Sequence, residues 1–213
     1  FSKVLYINCQ SLKSVNRTRN KLTMFQSLVY LNNYDIIALT ETWLDDSIHD
    51  AELLPNGYNF FRKDRDRQGG GVLLAVNQEY SSRSIPTGCP NSEIAMVEVK
   101  ATEVGNKVLY IICYRPPNTS LPNFSDDLRQ ILNSVSKKYN HLCILGDFNA
   151  ADLNWEKGAL ATLNITKECK DFCEIVEDYG LYQCNNILSN RAGNQLDLLL
   201  TNRPELYSVP TEY

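Results

Sequence analysis

Two stretches of the sequence share one order of elements, and this order limits the folds that the chain can adopt. In each stretch an apolar strand is followed by a helical pattern and by a second apolar strand that ends at an acidic residue. The first comprises residues 4–7, 17–31 and 36–39, with Glu41 at the end. The second comprises residues 108–114, a helix beginning at Ser125, and residues 142–145 running into Asp147. Strands of consecutive apolar residues are typical of strands that are buried on both faces.

The segment between these two units carries strand patterns alone. Turns rich in Gly, Pro and Asn separate the strands, so we predict an antiparallel meander of residues 58–61, 72–76, 80–85, 94–99 and 108–114. A third helix places Cys169, Phe172, Cys173 and Val176 on one face and ends before Gly180, and a last strand covers residues 196–200. Two packed sheets with helices outside would bury all these apolar faces, which predicts an α/β sandwich.

The composition fits one globular domain that folds without cross-links. The chain has 213 residues, 43% of them hydrophobic, which is enough for a sizeable core. The seven cysteines include no CxxC pair and the sequence has two histidines, so neither a disulfide framework nor a zinc site is indicated, and core thiols are expected. No run of about 18 apolar residues is present, so we expect an intracellular protein without membrane contact. A net charge of −4 argues against coating nucleic acid by bulk electrostatics, but it allows local contact.

Polar residues stand at the tips of five apolar strands. They are Asn8, Glu41, Tyr114, the pair Asp147 and Asn149, and Asp197. One such residue is an ordinary turn residue. Five strand ends with carboxylates and amides suggest a site for a hard cation, because magnesium takes oxygen ligands and keeps water and substrate phosphate in its remaining positions.

Six segments in this order, "LYINCQSL", "IIALTETWL", "GGGVLLAV", "IICYRPPN", "ILGDFNA" and "QLDLLLTNRPEL", resemble the endonuclease domain of non-LTR (LINE-type) retrotransposons. This family lies in the exonuclease-endonuclease-phosphatase superfamily, and the closing segment is most similar to chicken-repeat-like elements. The resemblance covers essentially the whole chain. It implies a four-layer α-β-β-α sandwich of the deoxyribonuclease-I-like type.

The resemblance also implies a role for each strand-tip residue. Glu41 would hold Mg²⁺, or Mn²⁺ in its place, with Asn8 beside it, and Tyr114 would contact the scissile phosphate. Asp147 and Asn149 would position and activate the attacking water. Asp197 would orient a catalytic histidine of a Ser-Asp-His segment. Since neither His49 nor His141 can occupy that place, we expect the domain 1–213 to be truncated before this segment, with its last strands missing, poorly active, and with Asp197 lacking its partner.

The implied activity is a DNA endonuclease whose nick leaves a 3′-hydroxyl for target-primed reverse transcription. The expected partners are double-stranded DNA and a reverse transcriptase downstream in the parent polypeptide, and action in the nucleus is expected. A phosphatase or phosphodiesterase of the same fold is the enzymatic alternative. A decayed copy that binds nucleic acid or a protein partner without cleavage is the other.

Eight further residues are candidates for DNA contact. They are Arg62, Arg65, Arg67, Arg115, Asn118, Ser189, Asn190 and Arg191. The basic segment before the triple glycine could equally be a solvated turn, because Asp64 and Asp66 offset two of its charges. Gln10 stands where relatives that repair abasic sites carry an acid, which weakens the case for a second metal ligand and for abasic-site repair.

Overall fold

The computed structural model describes residues 2–16, 19–54, 56–100, 107–156, 158–160, 166–185, 187–189 and 194–209. The strands formed by these residues are β1 Val4–Asn8, β2 Val15–Asn16, β3 Arg19–Asn20, β4 Ile36–Thr40, β5 Tyr58–Lys63, β6 Val72–Asn77, β7 Ser81–Ile85, β8 Glu93–Lys100, β9 Lys107–Tyr114, β10 Leu142–Asp147, β11 Trp155–Glu156, β12 Ala159–Leu160, β13 Tyr182–Gln183 and β14 Asp197–Thr201. The helices are α1 Lys21–Asn32, α2 Asp50–Leu53, α3 Leu121–Val135, α4 Lys167–Asp178 and a 3₁₀ turn Pro204–Leu206.

Two mixed sheets form the centre of the molecule. The first sheet has the order β1-β4-β6-β5, and the second has the order β13-β14-β10-β9-β8-β7. Each sheet contains one parallel pair, β1 with β4 and β9 with β10. The other neighbours within the two sheets are antiparallel. Parallel strands point their carboxyl ends toward one edge, so each sheet presents two strand ends at the same edge.

Alternation along the strands divides the core into three apolar layers. In β4, Ile37 and Leu39 pack with Phe25 and Val29 of α1 on the outside of the first sheet. The other face of β4, with Ala38, joins residues of β9 and β10 in a layer between the sheets. A third layer lies between the second sheet and helices α3 and α4. The order helix, sheet, sheet, helix confirms the predicted four-layer sandwich.

The expected meander of residues 58–114 is wrong as a single unit. Strands β5 and β6 pair in the first sheet, whereas β7, β8 and β9 form an antiparallel run in the second. The chain therefore changes sheet after β6. Strand patterns identify strands but carry no information about which sheet receives each one, since both sheets bury their faces in the same way.

Two helices begin at residues other than the predicted ones. Helix α1 starts at Lys21 because Arg19 and Asn20 form β3, and the Asn20 side chain accepts a hydrogen bond from Thr23 N. Helix α3 starts a turn earlier than Ser125, with Ser120 as its N-cap and Pro122 in the first turn, where proline is well tolerated. Ser125 is buried inside α3.

Cys169 and Cys173 are buried in the layer beneath α4, which confirms their predicted position on the core face of the helix. All seven cysteines are unpaired. In the described part of the chain no helix is both long enough and apolar enough to cross a membrane.

Candidate active site

The strand ends of both sheets meet at one edge of the sandwich. Asn8 ends β1, and Glu41 follows β4, which is the parallel neighbour of β1. In the second sheet Tyr114 is paired in register with Asp147, and Asp147 is paired with Asp197. The fold therefore brings the predicted strand-tip residues to the same edge.

The Asn8 side chain joins the acids of the two sheets. Its Nδ2 donates to Asp147 Oδ2 at 2.9 Å and lies 3.3 Å from Glu41 Oε1. The carbonyl oxygen Oδ1 of the same side chain accepts from the backbone N of Gln10 at 3.3 Å. One carboxamide thus fixes the separation of two carboxylates that are carried by different sheets.

Glu41 is held in a conformation that few residues adopt. Its φ is 49°, in the left-handed region, and Trp43 has a φ of 54°. The indole Nε1 of Trp43 donates to Glu41 Oε2 at 3.3 Å, while Oε1 faces Asn8. A strained backbone that persists in a structure is held by its surroundings, and such positions cluster at functional sites.

Asp147 is a buried carboxyl group among other acids. Only 4% of its surface is exposed. Burial raises the pKa of Asp147 to about 7, the charges of Asp197 and Glu41 act in the same direction, and hydrogen bonds from Asn149 N and Asn8 oppose the shift. A carboxyl group with a pKa near neutrality is typical of general acid-base catalysis.

The turn after β10 is formed by Asp147 itself. Its Oδ1 accepts from Asn149 N at 3.0 Å, and Asn149 has a φ of 47°, which asparagine tolerates better than most residues. The amide of the Asn149 side chain donates to Arg115 O at 2.8 Å. Among the described residues this is the amide's single contact, so its second hydrogen can bind a ligand.

Asp197 has a partner that the sequence did not predict. The Tyr6 hydroxyl donates to Asp197 Oδ1 at 2.6 Å and also lies 3.0 Å from Thr40 Oγ1. Burial and the Asp197 charge raise the pKa of Tyr6. Tyr6 therefore contacts Asp197, and the expectation that Asp197 lacks its histidine partner stays a prediction.

The two histidines of the sequence lie away from this edge. His49 is the N-cap residue of α2. His141 directly precedes β10, and its Nε2 lies 2.8 Å from the Tyr207 hydroxyl. The Ser-Asp-His segment expected from the resemblance stays a prediction.

Tyr114 lies at the end of β9 with 5% of its surface exposed. Burial raises its pKa, and the charges of Glu41 and Asp147 add to this effect. Across the strand from Tyr114, Glu93 accepts hydrogen bonds from Arg65 Nη1 at 2.8 Å and from Gly71 N at 2.5 Å. Arg65 is thus held beside Tyr114 through Glu93, and its positive charge opposes the rise in the pKa of Tyr114.

The other candidates for DNA contact are mostly engaged inside the protein. Arg62 contacts Asp50 and Asp64, and Arg67 contacts Asp45. Arg115 is buried, whereas Asn118 is exposed in a turn. Ser189 Oγ accepts hydrogen bonds from the backbone N of Leu196 and Asp197. Asn190 and Arg191 lie outside the described residues. The DNA-contact roles stay predictions.

The donor chemistry of this edge suits a hard cation. Glu41 and Asp147 supply carboxylate oxygens, and Asn8 turns its amide nitrogen toward both of them. Burial raises the pKa of Asp147, and the neighbouring charges of Asp197 and Glu41, which a cation would offset, add to the rise. Among the described residues no three His, Cys, Asp or Glu side chains form a ready cage for a metal ion. Magnesium usually takes only one or two carboxylates from a protein and keeps several waters.

The comparison with protein families agrees with this geometry. Residues 108–212, which include Tyr114, Asp147, Asn149 and Asp197, match the family model described as "Endonuclease-reverse transcriptase". The match covers 105 of the 213 residues, so the second half of the chain is similar to this family. No curated protein matches the sequence closely enough to count as a relative.

Solved structures are similar to nearly the whole chain in fold. The endonuclease domain of TRAS1, a telomere-specific non-LTR retrotransposon, has a TM-score of 0.67 and 14% identity, covering 95% of this chain and 86% of that chain. An AP endonuclease from Leishmania major has a TM-score of 0.70 and 13% identity, with coverage of 95% and 79%. The 3′ phosphatase NExo from Neisseria has a TM-score of 0.64 and 18% identity, with coverage of 94% and 86%. The chain therefore has the α/β sandwich fold of exonuclease-endonuclease-phosphatase structures.

Tyr6 is the main residue of this edge that the sequence did not identify. The available signal was its position two residues before Asn8, which puts both side chains on one face of β1. Tyr6 and Asp197 are 191 residues apart, so their contact depends on how the two sheets stack.

Proposed function

We propose that the domain is a magnesium-dependent DNA endonuclease whose nick leaves a 3′-hydroxyl for target-primed reverse transcription. The observation that carries this proposal is the Asn8 amide, which bonds Asp147 of one sheet and faces Glu41 of the other at one edge. The match of residues 108–212 to the endonuclease-reverse transcriptase family and the fold shared with the TRAS1 endonuclease domain support it.

In this proposal Glu41, with Asn8 beside it, holds the cation, which neutralises negative charge on the phosphate when bound. Asp147 accepts a proton from a water molecule, and the water oxygen forms a bond to phosphorus. The bond from phosphorus to the 3′ oxygen breaks, and that oxygen takes a proton from solvent and leaves as the 3′-hydroxyl. The products are a 3′-hydroxyl and a 5′-phosphate, because water bonds to phosphorus and the bond that breaks is the one to the 3′ oxygen.

The remaining residues of the edge orient these groups. The Asn149 amide donates one hydrogen to Arg115 O and would donate the other to a non-bridging oxygen of the phosphate. The Tyr114 hydroxyl would contact the same phosphate. Asp197, held by Tyr6, keeps its carboxylate beside Asp147 on the neighbouring strand. As part of the proposal, double-stranded DNA is the substrate, a reverse transcriptase follows in the same polypeptide, and the reaction takes place in the nucleus.

Conversion of supercoiled plasmid to open circle tests the activity. The parent polypeptide with Mg²⁺ should nick the plasmid, and Glu41→Gln in that polypeptide should lower the rate by about 10²-fold or more, since it removes a charge that binds the cation. The matched control is Glu52→Gln, because Glu52 pairs with Lys13 on the exposed side of α2. Equal rates for Glu41→Gln and the parent protein would refute the role of Glu41.

The chemistry of the nick tests the reaction itself. A DNA polymerase should extend the nicks directly, because they carry a free 3′-hydroxyl. Nicks that require phosphatase treatment before extension would contradict water attack with loss of the 3′ oxygen. Release of inorganic phosphate from a 3′-phosphorylated oligonucleotide without plasmid nicking would assign the domain to the phosphatase alternative.

A further inference from the structure

The guanidinium group of Arg115 is buried directly after Tyr114. Only 8% of the surface of Arg115 is exposed. Its Nε donates to the backbone oxygen of Phe148 at 2.6 Å, Nη2 donates to Asn149 O, and Nη1 donates to Thr119 O. All three acceptors are backbone carbonyls, so the side chain binds main chain and leaves little surface for an outside ligand.

The main chain of Arg115 completes this set of contacts. Its N donates to Asp147 O at 2.9 Å, and its O accepts from Asn149 Nδ2 at 2.8 Å. Every residue from Asp147 to Asn149 is therefore bonded to Arg115. Because Tyr114 precedes it, the same residue ties the end of β9 to the turn that follows β10.

An arginine is suited to this place for a geometric reason. Its planar guanidinium presents several N–H donors in fixed directions, whereas the ammonium of lysine is one point of charge on a flexible stem. A buried cation loses its hydration, so a chain that keeps one there must satisfy its donors. The turn it holds contains Asn149 at a φ of 47°, which an unsupported turn would adopt only part of the time.

We propose that Arg115 is a positioning residue, which fixes the Asp147 carboxylate and the Asn149 amide relative to Tyr114. This inference rests on the proposed endonuclease function. It differs from the prediction that Arg115 binds DNA: a positioning residue acts on the rate of the bound complex, whereas a phosphate contact acts on affinity and on its salt dependence.

Steady-state nicking kinetics of Arg115→Lys separate the two roles. We expect kcat to fall by about 10²-fold, since small displacements of catalytic groups cost that much, with KM for DNA and its salt dependence unchanged. If KM rises instead, and the slope of log affinity against log salt concentration falls by about one, Arg115 contacts a phosphate and the inference is overturned. The matched control is Arg129→Lys, because Arg129 bonds Asp178 of α4 and the backbone of Asp171 away from the site.

Two further measurements keep the test decisive. In Arg115→Ala, millimolar guanidinium should restore part of kcat and ammonium should not, a rescue that a general loss of stability would not give. Amide hydrogen exchange can be measured without enzymatic activity. The backbone N of Phe148 donates to Leu196 O, and that of Asn149 donates to Asp147 Oδ1. In Arg115→Lys these two amides should lose protection from exchange, while the amides of β10 keep theirs. Unchanged exchange at both amides would overturn the inference. A parent protein that does not nick DNA, with the exchange result as expected, would refute the endonuclease function alone.

Discussion

At the scale of single residues, the bond between Tyr6 and Asp197 links the first sheet to the second. Tyr6→Phe removes the hydroxyl that donates to Asp197 Oδ1 at 2.6 Å and leaves that carboxylate oxygen without its protein donor. Hydrogen bonds to charged groups contribute about 1.5–3 kcal/mol, so we expect the free energy of unfolding to fall by about that amount in urea denaturation. Tyr30→Phe is the control, since Tyr30 is 53% exposed. An equal free energy of unfolding for the parent protein and Tyr6→Phe would show that the bond contributes nothing.

Single residues also show what the sequence could predict about the site. Asn8, Glu41 and Asp147 were identified because an apolar strand that ends in a polar residue is a local pattern. Tyr6 and Trp43 could not be identified in this way, because a half-buried aromatic residue is most often a core residue. Their contacts with Asp197 and Glu41 depend on backbone geometry that the sequence does not show. The sequence predicts DNA contact for Arg115, because it does not reveal which backbone carbonyls a turn will present to the guanidinium.

At the scale of elements, the parallel pair of β9 and β10 needs glycine at position 146. A Cβ built there would lie 1.9 Å from the backbone oxygen of Cys113, so β10 could not keep its distance from β9. We expect Gly146→Ala to lower the free energy of unfolding by about 3 kcal/mol or more, measured in urea. Gly57→Ala is the matched control, because Gly57 has a φ of 90° with nothing within 4 Å of an added Cβ, and backbone strain alone should cost about 1 kcal/mol.

Losses of equal size in the two glycine variants would contradict this steric account. They would mean that positive φ, rather than contact with Cys113, sets the requirement for glycine at position 146.

The second element-scale prediction concerns a carboxylate that joins strands β7, β8 and β9 to the chain after α3. Glu98 of β8 is 2% exposed and accepts from Arg83 and from the Tyr139 hydroxyl, with Lys107 at 3.4 Å. The Arg83 hydrogen bond is the largest cause that lowers the pKa of Glu98 to about 2. Because the folded state favours the charged form, its stabilisation is complete above the unfolded pKa near 4.5 and is lost as the pH falls toward about 2.

A pH series of urea denaturation on the parent protein and Glu98→Gln tests this linkage. At neutral pH the free energy of unfolding of the variant should be lower by an amount on the order of 2 kcal/mol. This amount is limited because the Arg83 side chain is exposed, so solvent screens its interaction with Glu98. The difference between the two proteins should shrink as the pH falls from about 4.5 to about 2.5. A difference that stays constant through this range would show that packing, and not charge, makes Glu98 stabilising.

At the scale of the whole molecule, the sequence predicted the layers better than the connections. The layers follow from alternating burial, which each strand carries in its own residues. Burial alone does not determine which sheet a strand joins. The placement of β5 and β6 in one sheet, and of β7, β8 and β9 in the other, depends on long-range pairing such as that of β6 with β4. The site depends on both, since its residues come from strand tips but meet only after the sheets stack.

The same stacking predicts that the two sheets unfold together. Residues of both sheets, including Ala38 of the first and Leu145 of the second, share the central apolar layer, so neither sheet can lose its fold without exposing the other. The two tryptophans report on the halves separately: Trp43 bonds Gly70 beside the first sheet, and Trp155 packs against the helix side of the second. In urea, the fluorescence midpoints of Trp155→Phe and Trp43→Phe should each coincide with the midpoint of far-UV circular dichroism of the same variant. Separate fluorescence and dichroism midpoints in either variant would mean that one sheet folds alone, and that the contact between Asn8 and Asp147 forms only after an independent docking step.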